Sequence, residues 1–215
     1  MVIALVCYQG NSLINQQLFN LVDIVIAVDS GLDSLKRINV KPDYAIGDFD
    51  SLKDTSLLNS WVKSETIKLN SKKDQTDLRA AIDFIIKKFN KIQKIIIFTH
   101  FSGRIDQQLG VISQLKYLFN KNLNAIIYSN QHIIQLLSSG KNYLKPNINH
   151  QYYSFIAITE QAIIKNSIGL EYPLSNLVLT ILDEKGISNK ATCQTIAINI
   201  ATGLILSIET TAFNY

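Results

Sequence analysis

Four short runs of consecutive apolar, largely β-branched residues punctuate the first 130 positions: Val2–Cys7, Ile24–Val28, Lys94–Phe98 and Ala125–Tyr128. A strand that is apolar on both faces has no side to offer to water. Such runs belong inside a parallel sheet covered by helices. Helical patterns lie between them. Leu78, Ala81, Ile82, Ile85 and Phe89 recur at helical spacing, with Arg79, Asp83, Lys87 and Lys88 on the other side. Ile105, Leu109, Ile112 and Leu115 mark a second helix after Gly103. Strand and helix in alternation predict an open, Rossmann-like α/β domain with right-handed crossovers.

The texture changes near residue 130. From there the apolar runs are short and broken by turn residues: Ile133–Leu137, Tyr152–Ile158, Ala162–Ile164, Leu177–Leu182, Thr195–Ile200 and Leu204–Ile208. The breaks carry Ser-Ser-Gly, Lys-Pro-Asn and Asp-Glu-Lys-Gly. Strands at this spacing predict an antiparallel β-sandwich. The expected organisation is an α/β domain over 1–130 followed by a β-sandwich over 131–215.

Bulk composition removes several classes of function. At 47% hydrophobic and 18% charged, the chain reads as folded. Its net charge of +4 comes from 21 Lys+Arg against 17 Asp+Glu, scattered without a basic run. A nucleic-acid surface would need a concentrated patch, so no nucleic-acid partner is expected. Cys7 and Cys193 stand far apart in apolar runs and are expected as buried free thiols, with no Cys/His spacing for zinc. No apolar run approaches the ~20 residues of a membrane helix. The apolar start lacks the basic stretch and cleavage site of a signal peptide, so the expected location is the cytoplasm.

Four acidic clusters fall where α/β strands should hand over to loops or helices. Asp29 ends Ile-Val-Ile-Ala-Val-Asp. Asp48 and Asp50 lie in Gly47-Asp-Phe-Asp-Ser51. Asp74 and Asp77 open the helix pattern at Leu78. Asp106 follows Gly103-Arg-Ile. Ligands of open α/β sheets collect at the carboxyl ends of the strands. Hard carboxylate oxygens in that position suit Mg²⁺ and phosphoryl or diphosphoryl transfer, and Arg104 offers a planar fork for phosphate oxygens. Each cluster alone has a plainer reading. Asp29-Ser-Gly31 makes a turn, Asp74 and Asp77 cap a helix, and Arg104 with Asp106 forms an exposed ion pair. No Gly-x4-Gly-Lys-[Ser/Thr] occurs, no Gly-x-Gly-x-x-Gly follows the first strand, and the loop from Asp48 lacks the Gly and Glu of a calcium-binding EF-hand.

Taken in order, the clusters resemble the thiamine pyrophosphokinase family. The matching segments are Val28-Asp-Ser-Gly31, Pro42-Asp-Tyr-Ala-Ile-Gly-Asp-Phe-Asp-Ser51, Asp74-Gln-Thr-Asp77 and Ser102-Gly-Arg-Ile-Asp-Gln107. Glu171-Tyr-Pro-Leu174 and Gly186-Ile-Ser-Asn189 extend the likeness into the second half. Ser30 and Ser102 stand where the family usually has Gly, Gln107 where bacterial relatives often have His, and Lys190 where Glu is common.

The resemblance implies a reaction: ATP and thiamine give AMP and thiamine diphosphate. It implies Mg²⁺ on Asp48, Asp50 and Asp74. Asp29, Asp77, Arg104 and Gln107 would serve the nucleotide and its phosphates. Asp106 would face thiamine or the metal's surroundings, and Ser188 and Asn189 would contact thiamine. It also implies a homodimer with thiamine bound between chains. The same acids would serve a hydroxymethylpterin diphosphokinase, but Gly186-Ile-Ser-Asn189 favours thiamine. A nucleotide-binding module without turnover would be the third alternative, and the complete acidic set argues against it.

Overall fold

The central strand of the first domain shows why its sequence is so apolar. In the computed structural model, which describes residues 1–7, 16–72, 74–129, 131–147 and 150–211, Ile3, Ala4, Leu5 and Val6 are fully buried. They form β1 (Val2–Val6), which pairs in parallel with a strand on each side. The chain divides into two compact units, Met1–Asn130 and Gln131–Tyr215.

In the first unit, β1 is followed by a 3-10 turn (Gln16–Leu21), β2 (Ile24–Val28), α1 (Gly31–Arg37), β3 (Tyr44–Gly47) and a one-turn helix α2 (Leu57–Ser60). Then come β4 (Glu65–Lys68), α3 (Asp77–Lys88), β5 (Lys94–Phe98), α4 (Ile105–Asn120) and β6 (Ala125–Tyr128). The strand order is β4-β3-β2-β1-β5-β6, with every pairing parallel. The chain walks outward from β1 to β4 and then returns to the far side of β1. That reversal opens a crevice beyond the carboxyl ends of β1 and β5, the usual ligand position in such sheets.

Two strands here carry no continuous apolar run. β4 lies at the sheet edge, and its outer residues Glu65 and Lys68 are exposed. β3 is short and ends in Gly47. α3 buries Leu78, Ala81, Ile82 and Ile85 as its periodicity requires. Its N-cap is Thr76, whose hydroxyl accepts a hydrogen bond from the Arg79 amide at 3.2 Å. The cap expected of Asp74 or Asp77 is therefore supplied by a neutral hydroxyl. α4 is a helix as expected, but Ile105 and Leu109 are 71% and 60% exposed, and its buried face begins only at Gln114.

In the second unit β7 (His132–Leu137), β8 (Gly140–Leu144), β9 (His150–Ala157), β10 (Gln161–Ile168), β11 (Leu177–Thr180), β12 (Ile196–Thr202) and β13 (Ile205–Thr211) are antiparallel. One layer runs β7-β13-β9 and the other β11-β10-β12-β8. Leu137, Phe155 and Ile205 from the first layer and Ile164, Leu179 and Ile198 from the second share one apolar core. This is the expected sandwich. β8 is an edge strand of mixed polarity, and its first residue, Gly140, reads in the sequence as part of a break. Cys193 is exposed and lies outside any strand, contrary to its expected burial. Among the described residues no helix is long and apolar enough to cross a membrane.

Candidate active site

The crevice of the first unit is a cavity of about 710 Å³, within the range of small-molecule sites. Residues that follow four parallel strands line it: Cys7 after β1, Asp29 after β2, Asp48 after β3, and Thr99 with His100 after β5. The first turn of α3 adds Asp77, and the entry to α4 adds Arg104 and Gln107.

Asp29 enters the site through an unusual backbone. Its φ is +48°, in the left-handed region that few side chains favour. Its amide donates to Ile46 O at 2.9 Å, which draws β3 against it. Gly47 permits that approach, since a Cβ there would come within 2.9 Å of the Asp29 Cα. Beyond Gly47, Phe49 is also left-handed, with φ +59°. Its ring is buried in the same apolar cluster as Leu52 and Leu57. Anchoring the aromatic inward leaves the acids on either side of it, Asp48 half-buried and Asp50 exposed, to line the cavity. Two left-handed non-glycine residues at one site are the kind of local strain that function retains.

The result is a carboxylate cluster. One oxygen from each of Asp29, Asp48 and Asp50 lies within 4.8 Å of the others. Asp29 accepts a 2.5 Å hydrogen bond from the Ser51 hydroxyl on Oδ2, while its Oδ1 is buried without a hydrogen-bond partner. Burial pushes the Asp29 carboxyl above its usual range. The Ser51 bond and the Ser30 amide oppose that shift, and the nearby Asp77 and Asp48 charges reinforce it. Like charges this close are costly alone, and an orphaned carboxylate oxygen calls for a cation. The donor set is all hard oxygen, which fits Mg²⁺.

Each expected residue therefore has a place. Asp29, Asp48, Asp50, Asp77, Arg104 and Gln107 line the one cavity. Asp74 is exposed and outside that lining, so the compact oxygen set pairs Asp48 and Asp50 with Asp29. Asp106 is exposed and receives both the Nε and a terminal nitrogen of Arg104. That pair holds the Asp106 carboxyl below its usual range. Cys7 donates weakly to Phe98 O, and burial pushes its thiol up to about 12, which leaves it protonated and inert. Ser51, Thr76, Thr99 and His100 also line the cavity and were not singled out from sequence. Thr99 and His100 directly follow an apolar strand run, which is the signal that could have found them.

Ser188 and Asn189 lie in the second unit. Ser188 is exposed, with φ +60°. Asn189 is only 2% exposed, and both polar ends of its side chain are hydrogen-bonded. Its amide oxygen accepts from the Tyr172 and Lys190 amides, and its nitrogen donates to Tyr172 O at 2.6 Å.

Known proteins agree with this architecture. The family model described as thiamin pyrophosphokinase, catalytic domain, matches residues 15–127, more than half of the chain. Thiamine pyrophosphokinase of Bacillus subtilis is 30% identical over 187 residues, covering 86% of each chain. Thiamin pyrophosphokinase 1 of Caenorhabditis elegans is 24% identical over 205 residues, covering 90% of this chain and 82% of its own. The crystal structure of the Bacillus subtilis thiamine pyrophosphokinase superposes with a TM-score of 0.86 and 27% identity, over 99% of this chain and all of that one. With that match over both halves and an acidic cavity at the sheet's switch point, the chain belongs to the thiamine pyrophosphokinase family of enzymes.

Proposed function

We propose that this member of the family transfers a diphosphate group from ATP to the hydroxyl of thiamine, releasing AMP, with Mg²⁺ held by Asp29, Asp48 and Asp50. The observation that carries the reading is the cluster of three carboxylates, one with an orphaned buried oxygen, beyond the strand ends of a parallel sheet. Bound there, Mg²⁺ would neutralise charge on the polyphosphate and help fix it in line with the attacking oxygen.

The chain's own residues do the rest. Asp48 and Asp50 are aimed into the cavity by the buried Phe49 between them. Ser51 holds Asp29 in one orientation. Asp77 adds negative charge in the first turn of α3, where helix amides favour it. Arg104 sits at the N-cap of α4, where its fork and the helix amides together suit phosphate oxygens. In this reading the Arg104–Asp106 pair is a resting arrangement that opens when phosphate arrives. Gln107 lies in the first turn of the same helix, beside the nucleotide. Asp74, outside the cavity, has no direct role. Ser188 faces thiamine, and Asn189 shapes the backbone next to it.

The active form is a homodimer in which thiamine lies between chains. Support for this comes from the family resemblance. Chains inactivated at Asp48 and chains inactivated at Ser188 and Asn189 should regain activity when mixed. Mixed dimers that stay inactive would count against sharing.

Incubation with ATP, Mg²⁺ and thiamine, followed by identification of the nucleotide product, tests the main reading. AMP formed only when thiamine is present supports it. ADP, or no thiamine-dependent product, overturns it.

A further inference from the structure

We propose that Gly110 is a specificity-determining position, whose missing side chain makes room in the α4 wall of the cavity for a planar heteroaromatic ring of a substrate. The inference rests on the diphosphoryl-transfer reading, because both substrates of that reaction carry such a ring: the adenine of ATP and the aminopyrimidine of thiamine.

Gly110 sits in the interior of α4, well away from either end. A glycine there weakens a helix relative to alanine, because it has more backbone freedom to lose on folding. Packing usually explains such a residue, and here it does not. A Cβ placed at Gly110 meets no heavy atom within 4 Å beyond its chain neighbours and its own helix backbone. Nor does the backbone require glycine, since α4 is regular through this turn. The Gly110 carbonyl accepts from the Ser113 hydroxyl at 2.7 Å and from Gln114 Nε2 at 2.8 Å, bonds that any residue could accept. Yet Gly110 is half-buried and lines the cavity. The open space beside it is therefore cavity space, and the fold itself has no use for the missing side chain.

The neighbours indicate what fills it. Val111, the next residue on α4, adds an apolar side chain to the lining, and Leu78 at the start of α3 lines the same cavity. Gln107, nearly one turn earlier on α4, supplies an amide that both donates and accepts, and Gln108 adds a second amide to the cavity lining. A flat ring with a polar edge matches that surface, with its face on the bare backbone at Gly110 and its edge on the amides. Phosphate groups do not, because the cation-binding acids lie on other segments and Arg104 stands at the N-cap of α4, more than one turn before Gly110.

The test uses the full chain with Gly110→Ala and Gly110→Leu. Alanine should raise Tm by about 2–4 °C, the shift expected for a glycine-to-alanine gain in a chain of this size. Leucine should leave Tm at or above the parent value and raise KM for one substrate by about 10-fold or more, with kcat little changed. A rise confined to ATP identifies the ring as adenine, and a rise confined to thiamine identifies it as the aminopyrimidine. Calorimetric titration of ATP alone and thiamine alone reads the same loss as a weaker Kd. The ring site is thus tested even if the unaltered chain forms no AMP, a result that would count against diphosphoryl transfer instead. Unchanged KM and Kd for both substrates in Gly110→Leu overturns the proposal. If leucine disrupts folding, a stabilised Gly110→Ala chain with unchanged KM and Kd for both overturns it equally.

Discussion

The Ser51 hydroxyl donates a 2.5 Å hydrogen bond to one oxygen of Asp29, while the other oxygen of that carboxylate is buried without a hydrogen-bond partner. One bond thus joins the end of β2 to the loop after β3 and fixes the direction of the unsatisfied oxygen. Asp48 and Asp50 each bring an oxygen within 4.8 Å of an oxygen of that carboxylate. The cost of crowding these charges is what a bound cation would relieve.

Asp29 makes the metal-free fold sensitive to pH in a definite direction. Burial raises its folded pKa above the unfolded value. Its contribution to stability is therefore fully present below the usual carboxylate range and is lost as pH rises through the raised folded value. Asp29→Asn removes that loss, and Asn tolerates the left-handed backbone well. In chelator, the variant should melt above the parent at neutral pH, with the gap closing as pH falls below the usual carboxylate range. Thermal melts of both proteins across pH check this. A parent that melts higher at neutral pH would refute it.

The acids should separate by position. Asp48→Asn should keep the fold and cut turnover by ~10²-fold or more, the scale seen when a key electrostatic group is removed. Asp77→Asn should also reduce turnover clearly, because Asp77 lines the cavity. Asp74→Asn, at an exposed position outside it, should stay within about 3-fold of the parent, well short of that scale. Steady-state kinetics on the three purified variants decide the order. Loss in Asp74→Asn equal to that in Asp48→Asn would restore Asp74 to the metal set.

Arg104 and Asp106 form a forked but exposed pair, with side chains 72% and 60% accessible. Exposed pairs of this kind add little to stability. Arg104→Lys keeps the charge and loses the planar two-pronged contact. It should lower kcat/KM for ATP by about 10-fold or more, as expected for the loss of a charge-assisted hydrogen bond of ~1.5–3 kcal/mol, while Tm moves little. ATP kinetics and thermal unfolding on the same preparation check both halves. A large drop in Tm with unchanged kinetics would make the pair purely structural.

Asn189 should behave as a bracket for the Tyr172 backbone. Its buried amide satisfies both the N–H and the C=O of Tyr172. Asn189→Ala strands those groups at a cost of about 1–3 kcal/mol. For a chain of this size, that cost lowers Tm by about 2 °C or more. A variant with unchanged Tm and a raised KM for thiamine would instead assign Asn189 to direct substrate contact.

Much of this protein was legible in residue order. β1, β2, β5 and β6 announce themselves because strands buried on both faces must be apolar throughout. Asp29, Asp48 and Asp50 stand out because acids rarely end or interrupt such runs. The family likeness follows from the order of those clusters. The edge strands β4 and β8 escaped because half of each faces water, which erases the apolar signal. The role of α4 also changed in three dimensions. Its first two turns carry Ile105 and Leu109, yet burial starts at Gln114, a polar residue whose amide bonds to Arg79 and Gly110.

The residue types needed for the chemistry, and their order along the chain, were set by sequence alone. Which acids share one space was set only by the tertiary structure. Asp74 and Asp77 are equivalent in a sequence motif, but Thr76 caps α3 between them and leaves Asp77 in its first turn, at the cavity, and Asp74 outside the helix in solvent. Asp29 joins Asp48 and Asp50 because β2 and β3 are parallel neighbours whose ends coincide, with Gly47 allowing the close approach. Sequence spacing measures distance along the chain, whereas a metal or a phosphate responds to distance through space, and only the sheet converts one into the other.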